Sequence, residues 1–193
     1  MAIAQQILIL GGGVGGQVVA NELRHRLPSE HRVTLVEKNT RQGFAPSFLW
    51  LMTGGRQPEQ ITRDIRRLLR PGIEVIEAEV RRINLATRRV ETDRQSLEYD
   101  YLIIALGVEL APDTIPGLAE AAHTFYTLEG AARLKTALAT VTGGTVAVVV
   151  SALPYKCPGA PHEAAMLLAD YFRRRGLRDK VDVHLFTPTG VRS

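Results

Sequence analysis

ILILGGGVGGQVVANELRHRLPSEHRVTLVEK, residues 7–38, is the stretch whose reading decides the fold. Ile7 to Leu10 is a short β-rich apolar run that ends at glycines, the pattern of a buried parallel strand. Gly15 to Leu27 reads as a helix, with Val18, Val19, Leu23 and Leu27 on one face and Pro28 stopping it. Val33 to Glu37 is a second apolar strand. Strand, glycine turn, helix and strand make a right-handed βαβ unit. In the turn, Gly11, Gly13 and Gly16 form G-x-G-x-x-G, and Gly12 and Gly15 add slack. Gly11 permits the tight turn, Gly13 removes a side chain where a pyrophosphate must approach the backbone, and Gly16 lets helix and strand pack closely. The phosphates of a dinucleotide then lie on the helix N-terminus, where unpaired N–H groups and the positive dipole end face them.

Glu37 lies 21 positions past Gly16 at the end of the second strand, the place for a carboxylate that grips ribose hydroxyls. Its charge would repel a ribose 2′-phosphate and so argues against NADP, although Lys38 and Arg41 offset part of that charge. A glycine-rich turn without a ligand is the alternative, and the agreement of strand, helix, second strand and terminal acid weighs against it. The fingerprint leaves FAD and NAD both open.

Outside this unit the composition narrows the classes. The chain has 193 residues, 45% hydrophobic and 23% charged, which describes an ordinary globular protein able to bury a core. A net charge of +4 raises the question of nucleic acid. The arginines, however, are scattered as pairs such as Arg66/Arg67, Arg81/Arg82 and Arg88/Arg89 and are not interleaved with aromatics, so a solvated surface is expected and no nucleic-acid partner. No apolar run reaches the length of a membrane span. The first apolar run passes straight into glycines rather than to a cleavage site, so a cytoplasmic or cytoplasm-facing location is expected. The lone Cys157 excludes an internal disulfide. The five histidines show no metal-ligand spacing with it or with each other, and no metal is expected.

Further along, Gly43 to Gly55 reads as an apolar loop without clear period, and Pro58 to Leu69 as a helix closed by Pro71. Ile73 to Val80 alternates roughly as a strand, and Arg81 to Thr92 as a hairpin turning near Asn84 to Thr87. Tyr99 to Ala105 is another buried strand. Pro112, Pro116 and Gly117 mark a domain boundary. Beyond them come a helix (Glu129 to Thr140), a strand (Thr145 to Val150), a helix (Pro161 to Arg175) and a strand (Val181 to Phe186). The expected fold is therefore α/β: a Rossmann-like FAD/NAD(P)-binding βαβ domain over residues 1–109, and a second, smaller βαβ unit over 110–193. In the second unit's turn, proline and cysteine replace the glycines.

Several stretches then resemble one family. YDYLIIALG (99–107) is similar to the strand that closes the FAD domain of two-dinucleotide-fold flavoproteins, where it commonly ends Ala-Thr-Gly; here Leu106 replaces the threonine and a hydroxyl is lost. GFAPSFLWLMTGGRQPEQI (43–61), GIEVIEAEV (72–80) and PYKCPGAPHEAAMLLADYFRRRGLRDKV (154–181) resemble sulfide:quinone oxidoreductase and flavocytochrome c sulfide dehydrogenase, within the FAD-dependent pyridine nucleotide-disulfide oxidoreductases. The likeness runs in register over essentially the whole chain, and its most specific piece is the cysteine block, Tyr155 to Glu163.

The resemblance implies FAD as cofactor. It places Gly11, Gly13, Val14, Gly15 and Gly16 at the pyrophosphate, Glu37 with Lys38 at the adenosine ribose, and Val80 at the adenine side. Ala105 and Gly107 would line the flavin approach, with Pro46 and Ser47 near the isoalloxazine. Cys157 matches a redox cysteine, and Glu163 a nearby acid that moves protons. Sulfide or a small thiol would be the donor and a quinone or cytochrome the acceptor, with peripheral contact to the inner membrane. Two departures stand out. Some members carry an additional cysteine where this chain has Tyr126. Members are also considerably longer, the rest supplying a second redox cysteine, the remainder of the FAD domain and the quinone pocket, so the chain corresponds to an N-terminal portion.

Independently of the family, Cys157 lies in a strand-to-helix turn beside Lys156, where a positive neighbour and a helix N-terminus both favour thiolate. A buried small hydrophobe is the alternative. Glu163 has one too, since an acid in a helix's first turn is favoured by the dipole alone. Two other functions stay open: an NADH dehydrogenase or disulfide reductase of the same superfamily, and a non-catalytic dinucleotide-binding module.

Overall fold

Two apolar strands joined by a glycine turn must be covered on both faces, and this requirement organises the first half of the chain. The computed structural model describes residues 4–188. In order, its elements begin Gln6–Leu10 (β1), Val14–Arg26 (α1), Arg32–Glu37 (β2), Arg41–Gly43 (β3), Phe48–Met52 (α2), Pro58–Ile61 (α3) and Thr62–Asp64 (β4). Ile73–Glu77 (β5), Val80–Asn84 (β6), Arg89–Thr92 (β7), Ser96–Glu98 (β8) and Tyr101–Ile104 (β9) follow. The remainder comprises Leu118–Ala121 (α4), Leu128–Thr140 (α5), Gly144–Val149 (β10), Ala160–Arg174 (α6) and Val181–Phe186 (β11). Short 3-10 turns at Ala45–Ser47, Ile65–Arg67 and Pro112–Thr114 complete the set.

These elements form two compact units, Met1–Gln42 with Thr62–Ala111 and Gly43–Ile61 with Pro112–Ser193. In the first, an all-parallel sheet has the order β5-β2-β1-β9. Side chains alternate across a strand. Accordingly Ile7 and Ile9 join Val33, Leu35, Ala20 of α1 and Ile65 on one face. Leu8 and Leu10 join Val36, Ala78, Val90 and Tyr99 on the other. Val90 comes from the antiparallel sheet β6-β7-β8, so helix, parallel sheet and antiparallel sheet stack as three layers. α1 ends where Pro28 demands it. The Arg24 guanidinium donates to the carbonyls of His31, Leu27 and Pro28 at 2.8, 2.8 and 2.6 Å and ties down the chain leaving the helix.

In the second unit β10 and β11 pair in parallel, Gly144 opposite Val181 and Val149 opposite Phe186, with α6 between them in sequence, the expected βαβ order. Ala164, Leu168 and Phe172 of α6, Ala131 and Leu138 of α5, and Val148 and Val181 form its core. The Thr127 side chain caps α5 by accepting from Gly130 N at 3.0 Å.

Four expectations change. Residues 43–55 are not a loop: Phe48, Leu49, Leu51 and Met52 of α2 are buried in the second unit's core, and a helix covered nearly all round has no apolar period to read. The units do divide between Ala111 and Pro112, but 43–61 groups with residues after 111 and not with 1–42. The helix expected over 58–69 stops at Ile61. In an unbroken helix Ile61 and Ile65 would share a face, but Ile61 fills the second core and Ile65 the first. The chain breaks between them into β4, which pairs with β3, and the Asp64 side chain then accepts from Arg66 N at 2.8 Å to start a single 3-10 turn. Finally, the strand expected over 73–80 ends at Glu77, and Val80 opens the antiparallel sheet. The hairpin after it turns where expected, Asn84 Oδ1 accepting from Thr87 N at 3.1 Å, and β8 adds a third strand.

Candidate functional site

The glycine turn of the first unit is built by close approach. Gly11 sits at φ +97°, and a Cβ there would lie 2.3 Å from the Ala105 carbonyl oxygen. A Cβ on Gly16 would lie 1.8 Å from the Gly11 carbonyl oxygen. Gly13 and Gly15 are the opposite case: both are exposed, and a Cβ on either would meet nothing within 4 Å. Gly12 is also close-packed rather than slack, since a Cβ there would lie 2.4 Å from Ile65 Cδ1, so three glycines fold the turn and two leave an open face above the start of α1. That helix has Gly13 as N-cap without a side-chain cap, and no acidic residue in its first turn competes for its N–H groups. Arg24, His25 and Arg26 occupy the last turn and complement the dipole. An anionic group fits this face by geometry and by charge.

Glu37 is anchored at the rim. One carboxylate oxygen accepts from Gly12 N at 2.6 Å and the other from Asn39 N at 2.9 Å. Each oxygen keeps an acceptor site, so the partly buried carboxylate can still take ribose hydroxyls. Gln17 Nε2 donates to Gly12 O at 2.8 Å and braces the loop from α1. Ala78 N donates to Glu37 O at 3.1 Å, which carries the chain past the carboxylate to Val80. On the other side Gly11 N donates to Val36 O at 2.8 Å and Ala105 N to Leu10 O at 2.7 Å, bringing Ala105 against the turn. Gly107 follows at φ +75° in an exposed segment, and Lys38 is exposed. Gly11, Gly13, Val14, Gly15, Gly16, Glu37 and Ala105 are therefore gathered at one end of the parallel sheet, with Val80 linked to them through Ala78. Gln17, Asn39 and Ala78 were not singled out in the sequence. Ordinary polar residues in turns carry no signal of their own.

Cys157 and Glu163 belong to the second unit. The connection from β10 to α6 runs over residues 150–159, much longer than the glycine turn, with only one glycine, Gly159, at its end. Cys157 is exposed and held at φ +56°, and Ala160 N donates to its carbonyl at 3.0 Å. Glu163 is partly buried in the first turn of α6, its N–H bonded to Gly159 O at 3.0 Å. Pro46 and Ser47 form the 3-10 turn before α2, where buried Ser47 accepts from the Arg56 guanidinium. Among the described residues no three His, Cys, Asp or Glu side chains are grouped to hold a metal ion. No helix among them is long and apolar enough to cross a membrane.

A family model described as pyridine nucleotide-disulphide oxidoreductase matches residues 5–183. The chain is 32% identical over 188 residues to a sulfide-quinone reductase of Aquifex aeolicus, covering 96% of this chain and 43% of that protein. It is 29% identical over 192 residues to a mitochondrial sulfide:quinone oxidoreductase of Mus musculus, covering 96% of this chain and 42% of the relative. The crystal structure of the Aquifex aeolicus sulfide:quinone oxidoreductase superposes with a TM-score of 0.82 at 30% identity, over 92% of this chain and 42% of that one. The chain thus spans about two fifths of the length of the relatives it matches.

Proposed function

This chain belongs to the pyridine nucleotide-disulphide oxidoreductase family, and we propose that it carries the FAD cradle and one redox cysteine of a sulfide:quinone oxidoreductase. The open face over Gly13 and Gly15 holds the pyrophosphate, Glu37 with Lys38 the adenosine ribose, and Val80 the adenine side. Ala105 and Gly107 line the approach to the flavin. Bound FAD would supply a two-electron acceptor for sulfur and a route onward to a quinone or cytochrome.

The protein's own part of the chemistry belongs to Cys157. Hydrosulfide attacks the Cys157 sulfur while that sulfur is in a disulfide; a new S–S bond forms, the old one breaks, and the partner sulfur leaves as thiolate. The product is Cys157–S–SH. Glu163, one turn into α6, takes the proton released as this persulfide ionises. The quinone and the partner sulfur belong to the part of the relatives that this chain does not span, and so does any contact with a membrane surface.

The exposed Cys157 in a glycine-poor strand-to-helix turn is the observation that carries this reading. An NADH pyrophosphate needs close backbone approach, which Pro154, Cys157 and Pro158 do not offer, so the electron donor is not a nicotinamide bound at this turn. The test is anaerobic addition of sulfide to the flavin-loaded chain joined to the remainder of a relative, which supplies the partner sulfur. The parent should lose its yellow colour. Cys157→Ser should keep its FAD, whose cradle lies in the first unit, and stay yellow. Bleaching of the serine variant at the parental rate would remove the sulfide assignment.

A further inference from the structure

Glu37 has a second support besides the glycine turn, and Asn39 builds it. The stem of Glu37 is wedged from one side, since a Cβ on Gly12 would lie 3.0 Å from both its Cβ and its Cγ. Gly12 N holds one carboxylate oxygen at 2.6 Å. A carboxylate gripped through one oxygen can still turn about its last bond, because that terminal torsion is broad. The hold on the other oxygen, from Asn39 N at 2.9 Å, removes this freedom.

That N–H reaches back to Glu37 because the chain folds sharply after β2, and the Asn39 side chain closes the fold. Its Oδ1 accepts from Arg41 N at 3.0 Å, two residues on, in an Asx turn. The N–H donor fixes which end of the amide faces it, because only the oxygen accepts. Asn39 O accepts from Gln42 Nε2 at 2.7 Å, and the next carbonyl, Thr40 O, accepts from Ile65 N at 2.8 Å. Asn39 is itself exposed, so this turn is not made to fill a core. What it orders is the carboxylate.

We propose that Asn39 is a positioning residue for the adenosine ribose: its side chain sets the turn that orients the Glu37 carboxylate, and so sets how strongly the site prefers a nucleotide with both ribose hydroxyls. The inference rests on the reading of Glu37 as the ribose contact. Asn39 touches no ligand in this role. Without its Oδ1 the turn opens, Asn39 N leaves the carboxylate, and each ribose that binds must order that side chain anew.

The test titrates ADP and 2′,3′-dideoxy-ADP calorimetrically into the flavin-free chain. A hydroxyl bonded to a charged acceptor is worth about tenfold or more in affinity, so the parent should prefer ADP by at least that factor. Asn39→Ala should bind the dideoxy nucleotide like the parent and ADP roughly three- to tenfold more weakly, the range for reordering one side chain. Asn39→Asp keeps an oxygen for Arg41 N and should restore the parental preference; its added charge weakens both nucleotides alike and cancels in the ratio. A merely structural role would weaken both nucleotides together and leave the ratio. An alanine variant with the parental ratio, or an aspartate variant with the alanine variant's ratio, overturns the proposal. A parent that binds the two probes alike, or binds neither, instead refutes the ribose reading of Glu37 and takes this inference with it, so the two failures are distinguishable.

Discussion

Gly13→Asp and Gly16→Ala, two substitutions three residues apart, should have opposite consequences. Gly13 has φ −67° and ψ −174°, backbone open to any residue, and its missing Cβ would meet nothing within 4 Å. Aspartate is moreover a better N-cap than alanine and at least the equal of glycine. The variant should keep the parental melting temperature or gain about a degree. Its carboxylate would nevertheless occupy the phosphate face, repel the ligand and compete for the first N–H groups of α1. Losing two charge-assisted hydrogen bonds at about 1.5–3 kcal/mol each weakens FAD binding by a hundredfold or more. At Gly16 the added Cβ would stand 1.8 Å from the Gly11 carbonyl oxygen, where ordinary contact begins at 3.4 Å, so backbone must retreat by about 1.6 Å. Overpacking of this kind costs about 1–3 kcal/mol or more. At roughly 2–4 °C per kcal/mol for a chain of this size, the melt should fall by up to about 12 °C. Thermal melts and titration of FAD by fluorescence quenching separate the two. The reasoning is refuted if Gly13→Asp binds FAD with the parental Kd, or if Gly16→Ala melts with the parent.

Glu37→Ala should strip the acceptor from Gly12 N and Asn39 N, costing about 1 kcal/mol of stability and most of the FAD affinity, whereas Glu37→Gln keeps one acceptor oxygen and should fall between; melts with and without FAD check both. Asp170, bonded to Arg173 and then Arg174, titrates below its ordinary 3.8 in the folded state. Its small stabilisation is therefore present above that value and disappears as pH falls through the lower, folded one. The melting temperature of Asp170→Asn should lie slightly below the parent's at neutral pH, with the gap closing in strong acid.

Much of this was legible in the sequence because the information was local. The strands at 7–10, 33–37 and 181–186, the glycine turn and the carboxylate that closes it each announce themselves within a few residues. The break at Ile61 does not, because Ile61 and Ile65 sit at helical spacing and only the two separate cores they enter forbid the helix. α2 was unreadable for a related reason: burial on most sides erased its period. Of the site, Gly11 to Gly16 and Glu37 came from spacing and residue type, and Cys157 from the resemblance of the block around it.

The excursion of residues 43–61 into the second unit has a consequence for how this chain is made. Synthesis runs from the N-terminus, so Phe48, Leu49, Leu51 and Met52 are translated before Ala131, Leu138 and Phe172, the residues of their common core. Until the ribosome has added another hundred residues or so, these four side chains have no native surface to cover them, and each is worth about 1.5–3 kcal/mol once buried. A nascent chain stalled near residue 111 would present them as a ready target for holdase chaperones and for aggregation. The same excursion governs dissection: a cut between 111 and 112 cannot yield two domains, because it strands a helix of the second unit's core on the first.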